Sequence, residues 1–230
     1  MIKIKFLGAL SEVGASAILL KIRNKKFVLD YGIKQTEKEP IFPPIINYFD
    51  AIFLSHSHLD HCGALPILIK NRNVPIFSLE INKYLTNLLL IDTLKIAKEE
   101  NYSLPFSKKD IKQTEKCFAA INYRETLIFE DIEIKFFDAG HIPGSAMIFL
   151  KYDKNSILYT GDFNYNDTRL VKGCDKEIPK PKILIIESTY SYKDHPDREK
   201  EEKRFCEEIK KVLENNGIVL ISAFAISRAQ

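Results

Sequence analysis

The sequence predicts a mixed α/β fold whose strand ends converge on one polar site. Three observations lead there. Short runs of strand length are interleaved with stretches of helical spacing, the longest at residues 80–100. The apolar run Ala51-Ile52-Phe53-Leu54 leads directly into Ser55-His56-Ser57-His58-Leu59-Asp60-His61-Cys62-Gly63-Ala64, which gathers three of the chain's five histidines within six residues. Three later strands end in His141, Asp162 and Glu187.

The elements follow in order. Residues 2–7 alternate apolar and charged side chains, the pattern of a half-exposed strand. Gly8 and Gly14 bracket a loop, and residues 16–22 and 27–30 form a hairpin around Arg23-Asn24-Lys25-Lys26. Asp30 ends that hairpin, where it either caps the turn or supports a metal site from behind. Residues 33–47 carry three prolines and no periodicity, so a long surface loop is expected. Residues 50–54 make the buried strand that delivers the histidines. A helix-like stretch at 63–69 and a short strand at 74–78 come next.

The 80–100 stretch has Leu85, Leu88, Leu89, Leu94, Ile96 and Ala97 at helical spacing and no proline or glycine. Its lysines read as a solvated face. Ser107 is placed to cap a second helix ending near Cys117. Strands follow at 126–129 and 132–137 around Glu130-Asp131, then a hairpin at 146–152 and 156–160. The first pair runs into Asp138-Ala139-Gly140-His141, the second into Gly161-Asp162, and a strand at 183–186 runs into Glu187. Residues 197–215 read as a charged amphipathic helix closed by Gly217.

The residue types at these ends suit a divalent metal. His56 and His58 alternate on an extended backbone, so both rings can face one ion. Asp60 and His61 sit where the chain turns toward a helix and can face a second. Two ions about 3.5–4 Å apart would clamp a phosphate or activate a water.

Composition narrows the function classes. Of 230 residues, 45% are hydrophobic and 28% charged, ordinary for a globular protein with a sizeable core. The net charge of +3 is too small for nucleic-acid binding by charge alone, so such binding must come from the site. Cys62, Cys117, Cys174 and Cys206 form no CxxC pair, which points to reduced thiols and a cytoplasmic setting. Cys62 beside the histidines reads as a small packing residue. No run has the length of a membrane span, and no membrane partner is expected.

With these residues in view, the chain resembles the metallo-β-lactamase superfamily. His56-x-His58-x-Asp60-His61 matches its signature, with His141 and Asp162 as the later ligands. The resemblance implies an αββα sandwich with two zinc ions along one edge. His56, His58 and His141 would hold one zinc, Asp60 and His61 the other, and Asp162 would bridge both. Glu187-Ser188-Thr189-Tyr190 and His195-Pro196-Asp197-Arg198 resemble the entry to the β-CASP insert of nucleic-acid-processing members. Residues 218–230 are similar to that insert's first strand and the start of its next helix. The expected division is therefore a metallo-β-lactamase domain at 1–192 and the beginning of a β-CASP domain at 193–230. The wording around His58 to Pro66 resembles the cleavage and polyadenylation endonuclease family and its archaeal relatives, with the ribonuclease J family next.

The family carries two further histidines beyond the first helix of its insert, one a zinc ligand and one a proton donor. His195, the only histidine here after Glu187, fits neither role. The expectation is a fragment with an incomplete second zinc shell, lacking the KH-like modules of some archaeal relatives and having little or no activity alone. The implied reaction is zinc-dependent hydrolysis of single-stranded RNA. Asp60 would hold and deprotonate the water, and Glu187 would steady a histidine of the family or else cap its strand. Ser222 and Arg228 could contact phosphate, though a helix cap and a surface charge explain them equally. Two other readings compete, a small-molecule hydrolase of the glyoxalase type and a non-catalytic RNA-binding paralogue. A homodimer or a processing-complex partner is left open, as is RNA against DNA.

Overall fold

The computed structural model describes residues 2–227 and 229. It divides into two compact units, residues 1–187 and 188–230.

The first unit holds two β-sheets. β1 (Ile2–Phe6), β2 (Ala17–Ile22), β3 (Lys25–Tyr31), β4 (Ala51–Phe53), β5 (Ile76–Ser78) and β6 (Phe118–Ala120) lie side by side in chain order. β1 to β3 pair antiparallel, β2 and β3 through a two-residue turn, whereas β3 to β6 pair parallel, β3 to β4 through the irregular segment 32–50 and β4 to β6 through helical crossovers. The second sheet runs β11 (Ile183–Ile185), β10 (Asn155–Tyr159), β9 (Ala146–Tyr152), β8 (Ile132–Asp138), β7 (Thr126–Phe129). Only its β10–β11 pair is parallel.

The sheets face each other across an apolar core. Leu20, Phe27 and Phe53 from the first meet Ile134, Phe136 and Ile148 from the second. Phe53 is fully buried at its centre, with ring centroids of Phe27 at 5.2 Å, Phe77 at 5.7 Å and Phe136 at 6.3 Å. On the opposite face of the first sheet, Val28, Ile52 and Leu54 pack against Cys62, Leu65 and Leu68 of α1 (Leu59–Cys62) and α2 (Leu65–Ile69), and against Cys117 of α4 (Lys108–Cys117). α3 (Glu80–Glu99) joins α4 through Leu90, Phe106 and Ile111. The outer face of the second sheet is covered by irregular chain, with Phe163, Cys174 and Ile178 over Phe137, Met147 and Phe149.

Several expectations are refined. The hairpin turn is two residues, Arg23-Asn24, because β3 begins at Lys25. A helix starts at Leu59, inside the histidine motif. Ser107 does open α4: its amide and hydroxyl both donate to Asp110, at 2.8 and 2.7 Å. The buried face of α3 is not the leucine stripe. Leu88 is exposed, and the buried positions are Asn82, Thr86, Leu90, Thr93 and Ala97. Asn82 and Thr86 occupy its first turns because these lie on the polar histidine loop at Ser57, where a leucine would leave a hydroxyl group unpartnered.

The second unit contains α5 (Arg198–Glu214), opened by Asp197, whose carboxylate accepts the Lys200 amide. Residues 218–221 do not form the expected strand. Ile218 and Leu220 are almost fully exposed, and among the described residues no strand pairs with this segment. A strand needs a ladder partner, and an apolar run does not supply one. Ser222 is exposed, and Arg228 lies outside the described residues.

Candidate metal centre

β4 ends at Phe53, and the extended chain beyond it carries His56 and His58 before α1 begins. Alternation on that segment turns both rings to the same side. The loop after β8 brings His141 to them. The three rings stand nearly equidistant and roughly perpendicular: centroids are 4.9 Å apart for His56–His58, 5.1 Å for His56–His141 and 5.0 Å for His58–His141. Nδ1 of His58 lies 3.2 Å from Nε2 of His56 and 3.2 Å from Nε2 of His141.

Asp162 closes the group. Its Oδ2 lies 3.8 Å from His56 Nε2 and 3.6 Å from His141 Nε2. One ligand atom from each of His56, His58, His141 and Asp162 falls within 4.8 Å of all the others. Three imidazole nitrogens and a carboxylate oxygen converging on one point are the donor set of a tetrahedral divalent cation. The residues present therefore fit a metal.

The other oxygen of Asp162 approaches His61. Oδ1 lies 3.3 Å from His61 Nε2, and that nitrogen is 3.7 Å from Asp60 Oδ2. Asp60, His61 and Oδ1 of Asp162 thus form a second, looser set beside the first. Glu187 is not brought into the four-residue group. It follows β11, and its amide donates to Thr160 Oγ1 at 3.4 Å, two residues before Asp162.

What holds these side chains was only half visible beforehand. Asp30 is fully buried as the next-to-last residue of β3, and of its two expected roles it takes the supporting one. Ala17 pairs with Tyr31 and Ile18 with Leu29, so Asp30 is the extra residue of a β-bulge, with φ of +55°. The bulge re-aims its carboxylate at the histidines. Oδ1 accepts the Ser55 amide at 2.7 Å. Oδ2 accepts the Ser55 hydroxyl at 2.6 Å and the Tyr159 hydroxyl at 2.7 Å, and lies 2.7 Å from His61 Nδ1. A proton on that Nδ1 leaves Nε2 as the donor atom facing Asp162. Ser55 Oγ stands 3.0 Å from His56 Nδ1, so one carboxylate steadies two rings.

Gly32, two residues on, admits α1 to this corner. A Cβ there would stand 1.7 Å from the Asp60 carbonyl oxygen, so no larger residue leaves Asp60 in place. Cys62 is buried, and its thiol donates to the Ser57 carbonyl at 3.1 Å, a packing role as expected.

The charges reflect this crowding. Burial, reinforced by repulsion from His61, lowers the pKa of His56 well below its ordinary value. Burial also opposes charge on His61, but attraction to Asp162 and hydrogen bonds to Asp162 and Asp30 outweigh it and raise that pKa well above the usual range. For Asp162 burial is likewise outweighed, first by His61, then by His56 and His141, and the carboxyl is held far below the usual range. His61 and Asp162 thus hold each other charged.

Comparison with known proteins agrees. A profile of the family described as "Metallo-beta-lactamase superfamily domain" matches residues 19–187. "Probable RNase MJ4" of Methanocaldococcus jannaschii is 44% identical, over 99% of this chain and 55% of that protein. "RNase aCSPSF2" of Saccharolobus solfataricus is 35% identical, over 99% of this chain and 46% of its own length. "Cleavage and polyadenylation specificity factor 73" of Drosophila melanogaster is 33% identical, over 100% of this chain and 35% of its own length. The chain thus spans about half, or less, of these relatives. A crystal structure of a protein of unknown function from Enterococcus faecalis shares the fold, with a TM-score of 0.53 at 18% identity over 70% of this chain and 43% of that one.

Proposed function

We propose that this chain, which belongs to the metallo-β-lactamase superfamily, carries the metal-holding module of a β-CASP-type ribonuclease that hydrolyses single-stranded RNA. The observation that carries the reading is Asp162, whose two oxygens face two separate donor sets, His56 with His141 and His61 with Asp60. A carboxylate so placed suits two zinc ions. His56, His58 and His141 would hold one, Asp60 and His61 the other, with Asp162 shared. Such a pair supplies Lewis acidity to a phosphodiester and a nucleophilic water near neutral pH.

The chain's own residues do the rest. Asp60 stays about a third exposed, so its carboxylate can meet a water and take its proton. Asp30 holds His61 in one tautomer through Nδ1, and Ser55 does the same for His56. The relatives named as RNases, 44% and 35% identical over nearly all of this chain, support RNA as the substrate. Glu187 is proposed to act beside the site rather than in it, next to the Thr160–Asp162 turn. Four free thiols fit a reducing, cytoplasmic setting. Among the described residues no helix is long and apolar enough to cross a membrane.

The test is cleavage of 5′-labelled single-stranded RNA with added Zn2+ by the protein that carries this chain, with His58→Ala as control. Metal-dependent cleavage lost in the variant supports the reading. A small-molecule hydrolase would spare the RNA, and a non-catalytic paralogue would bind it uncut.

A further inference from the structure

The polar face of α3 has no role in the chemistry above, yet it touches both loops that supply ligands. Asn82, in the first turn of α3, is fully buried. Its amide uses every hydrogen-bonding group. Oδ1 accepts the Ser57 hydroxyl at 2.8 Å. Nδ2 donates to Ser78 Oγ at 2.8 Å and to the Gly144 carbonyl at 2.8 Å. Ser57 stands between His56 and His58, and Gly144 is three residues after His141. Ser78 extends the network by donating to the Leu54 carbonyl, at the end of the strand that delivers the histidines.

The packing is equally close. Gly144 has φ of +81°, and a Cβ there would come within 2.4 Å of Ile81 Cγ2 and 3.0 Å of Asn82 Oδ1. The His141 loop is therefore pressed against the start of α3, with Asn82 in the seam. One backbone bond, from the Ala146 amide to the Ser55 carbonyl at 2.9 Å, also crosses between the loops. Asn82 ties them through Ser57, between His56 and His58, and Gly144.

We propose that Asn82 is a positioning residue of the metal centre: one buried amide sets the spacing between the His56–His58 segment and the His141 loop. The proposal rests on the metal-holding reading of that cluster. A buried amide serving only packing would cost stability when lost and leave the ligand geometry alone. A positioning amide changes the metal itself. Removing partners that orient ligands typically weakens metal affinity about 10- to 100-fold.

The experiment titrates the purified chain with Co2+ and follows the visible d–d bands, with thermal unfolding in chelator measured in parallel. Asn82→Leu removes the whole network at similar volume. Asn82→Asp keeps the acceptor for Ser57 and loses the donors to Gly144 and Ser78. It carries the test should the leucine variant not fold. Thr114→Val is the control, removing a buried hydroxyl on α4 that, among the described residues, bonds only within its helix, to the Asp110 carbonyl. The expected result is Co2+ binding about 10- to 100-fold weaker with altered bands in the Asn82 variants, and wild-type binding and bands in Thr114→Val. Wild-type affinity and bands in Asn82→Asp, with only a lowered melting temperature, would overturn the proposal. Failure of the wild-type chain to bind Co2+ would instead overturn the metal reading beneath it.

Discussion

Oδ2 of Asp30 lies 2.7 Å from Nδ1 of His61, and both side chains are buried. Because the Ser55 and Tyr159 hydroxyls donate to that same oxygen, Asp30→Asn would turn an amide hydrogen toward three donors, or displace the Ser55 amide. Zinc affinity is expected to fall about 10- to 100-fold, measured by competition with a chromophoric chelator. Unchanged affinity would mean that His61 does not depend on Asp30 for its orientation.

Phe53 delivers the histidine loop while filling the sandwich core. Phe53→Ala is expected to destabilise the chain by about 3–5 kcal/mol, read from urea unfolding in chelator. A cost under about 1 kcal/mol would contradict the core placement.

Asp138 accepts the Gly140 amide at 2.8 Å, and its partner Asp175 ion-pairs with Arg124 at 2.6 Å. Burial, with Asp175 adding to it, raises the Asp138 carboxyl above its ordinary value despite the Gly140 bond. A carboxyl raised in the fold costs stability as pH climbs from its unfolded to its folded value, and the loss persists above. Asp138→Asn keeps an acceptor for Gly140 and carries no such loss. Its stability relative to the wild type should therefore rise through the carboxylate range and then stay level. A relative stability that falls over that range would contradict the assignment.

Cys206 is exposed, whereas Cys62, Cys117 and Cys174 are buried. Burial also pushes the thiol pKa of Cys62 well up, which suppresses its thiolate. A disulfide-exchange reagent should titrate one thiol quickly in the native chain and four in denaturant. Two or more fast thiols would show that a buried cysteine is reached in the native fold.

Much of the metal centre was legible because its residues stand just past strand ends, where an apolar run gives way to polar residues and, for His141 and Asp162, an adjacent glycine (Gly140, Gly161) marks the turn. His56, His58, His141 and Asp162 all have that local signature. Asp30 also stood at a strand end, but sequence left turn cap and metal support undecided, because its aim comes from a bulge that appears only once Ala17 and Ile18 pair across it. Asn82 was hidden for another reason. Helical periodicity weighs apolar residues, and α3 buries an amide and hydroxyls toward a polar loop while leaving Leu88 in solvent. The segment at 218–221 shows the converse, since its continuous β-branched and apolar run is that of a strand but its pairing depends on a neighbour.

The central claim is that residues scattered from His56 to Asp162 hold one cation. Anomalous diffraction at the zinc edge, from crystals of the chain grown with Zn2+, tests it most directly. The account predicts a peak enclosed by His56 Nε2, His58 Nδ1, His141 Nε2 and Asp162 Oδ2. A zinc-replete crystal with no peak there, or with zinc held only by other side chains, would contradict it.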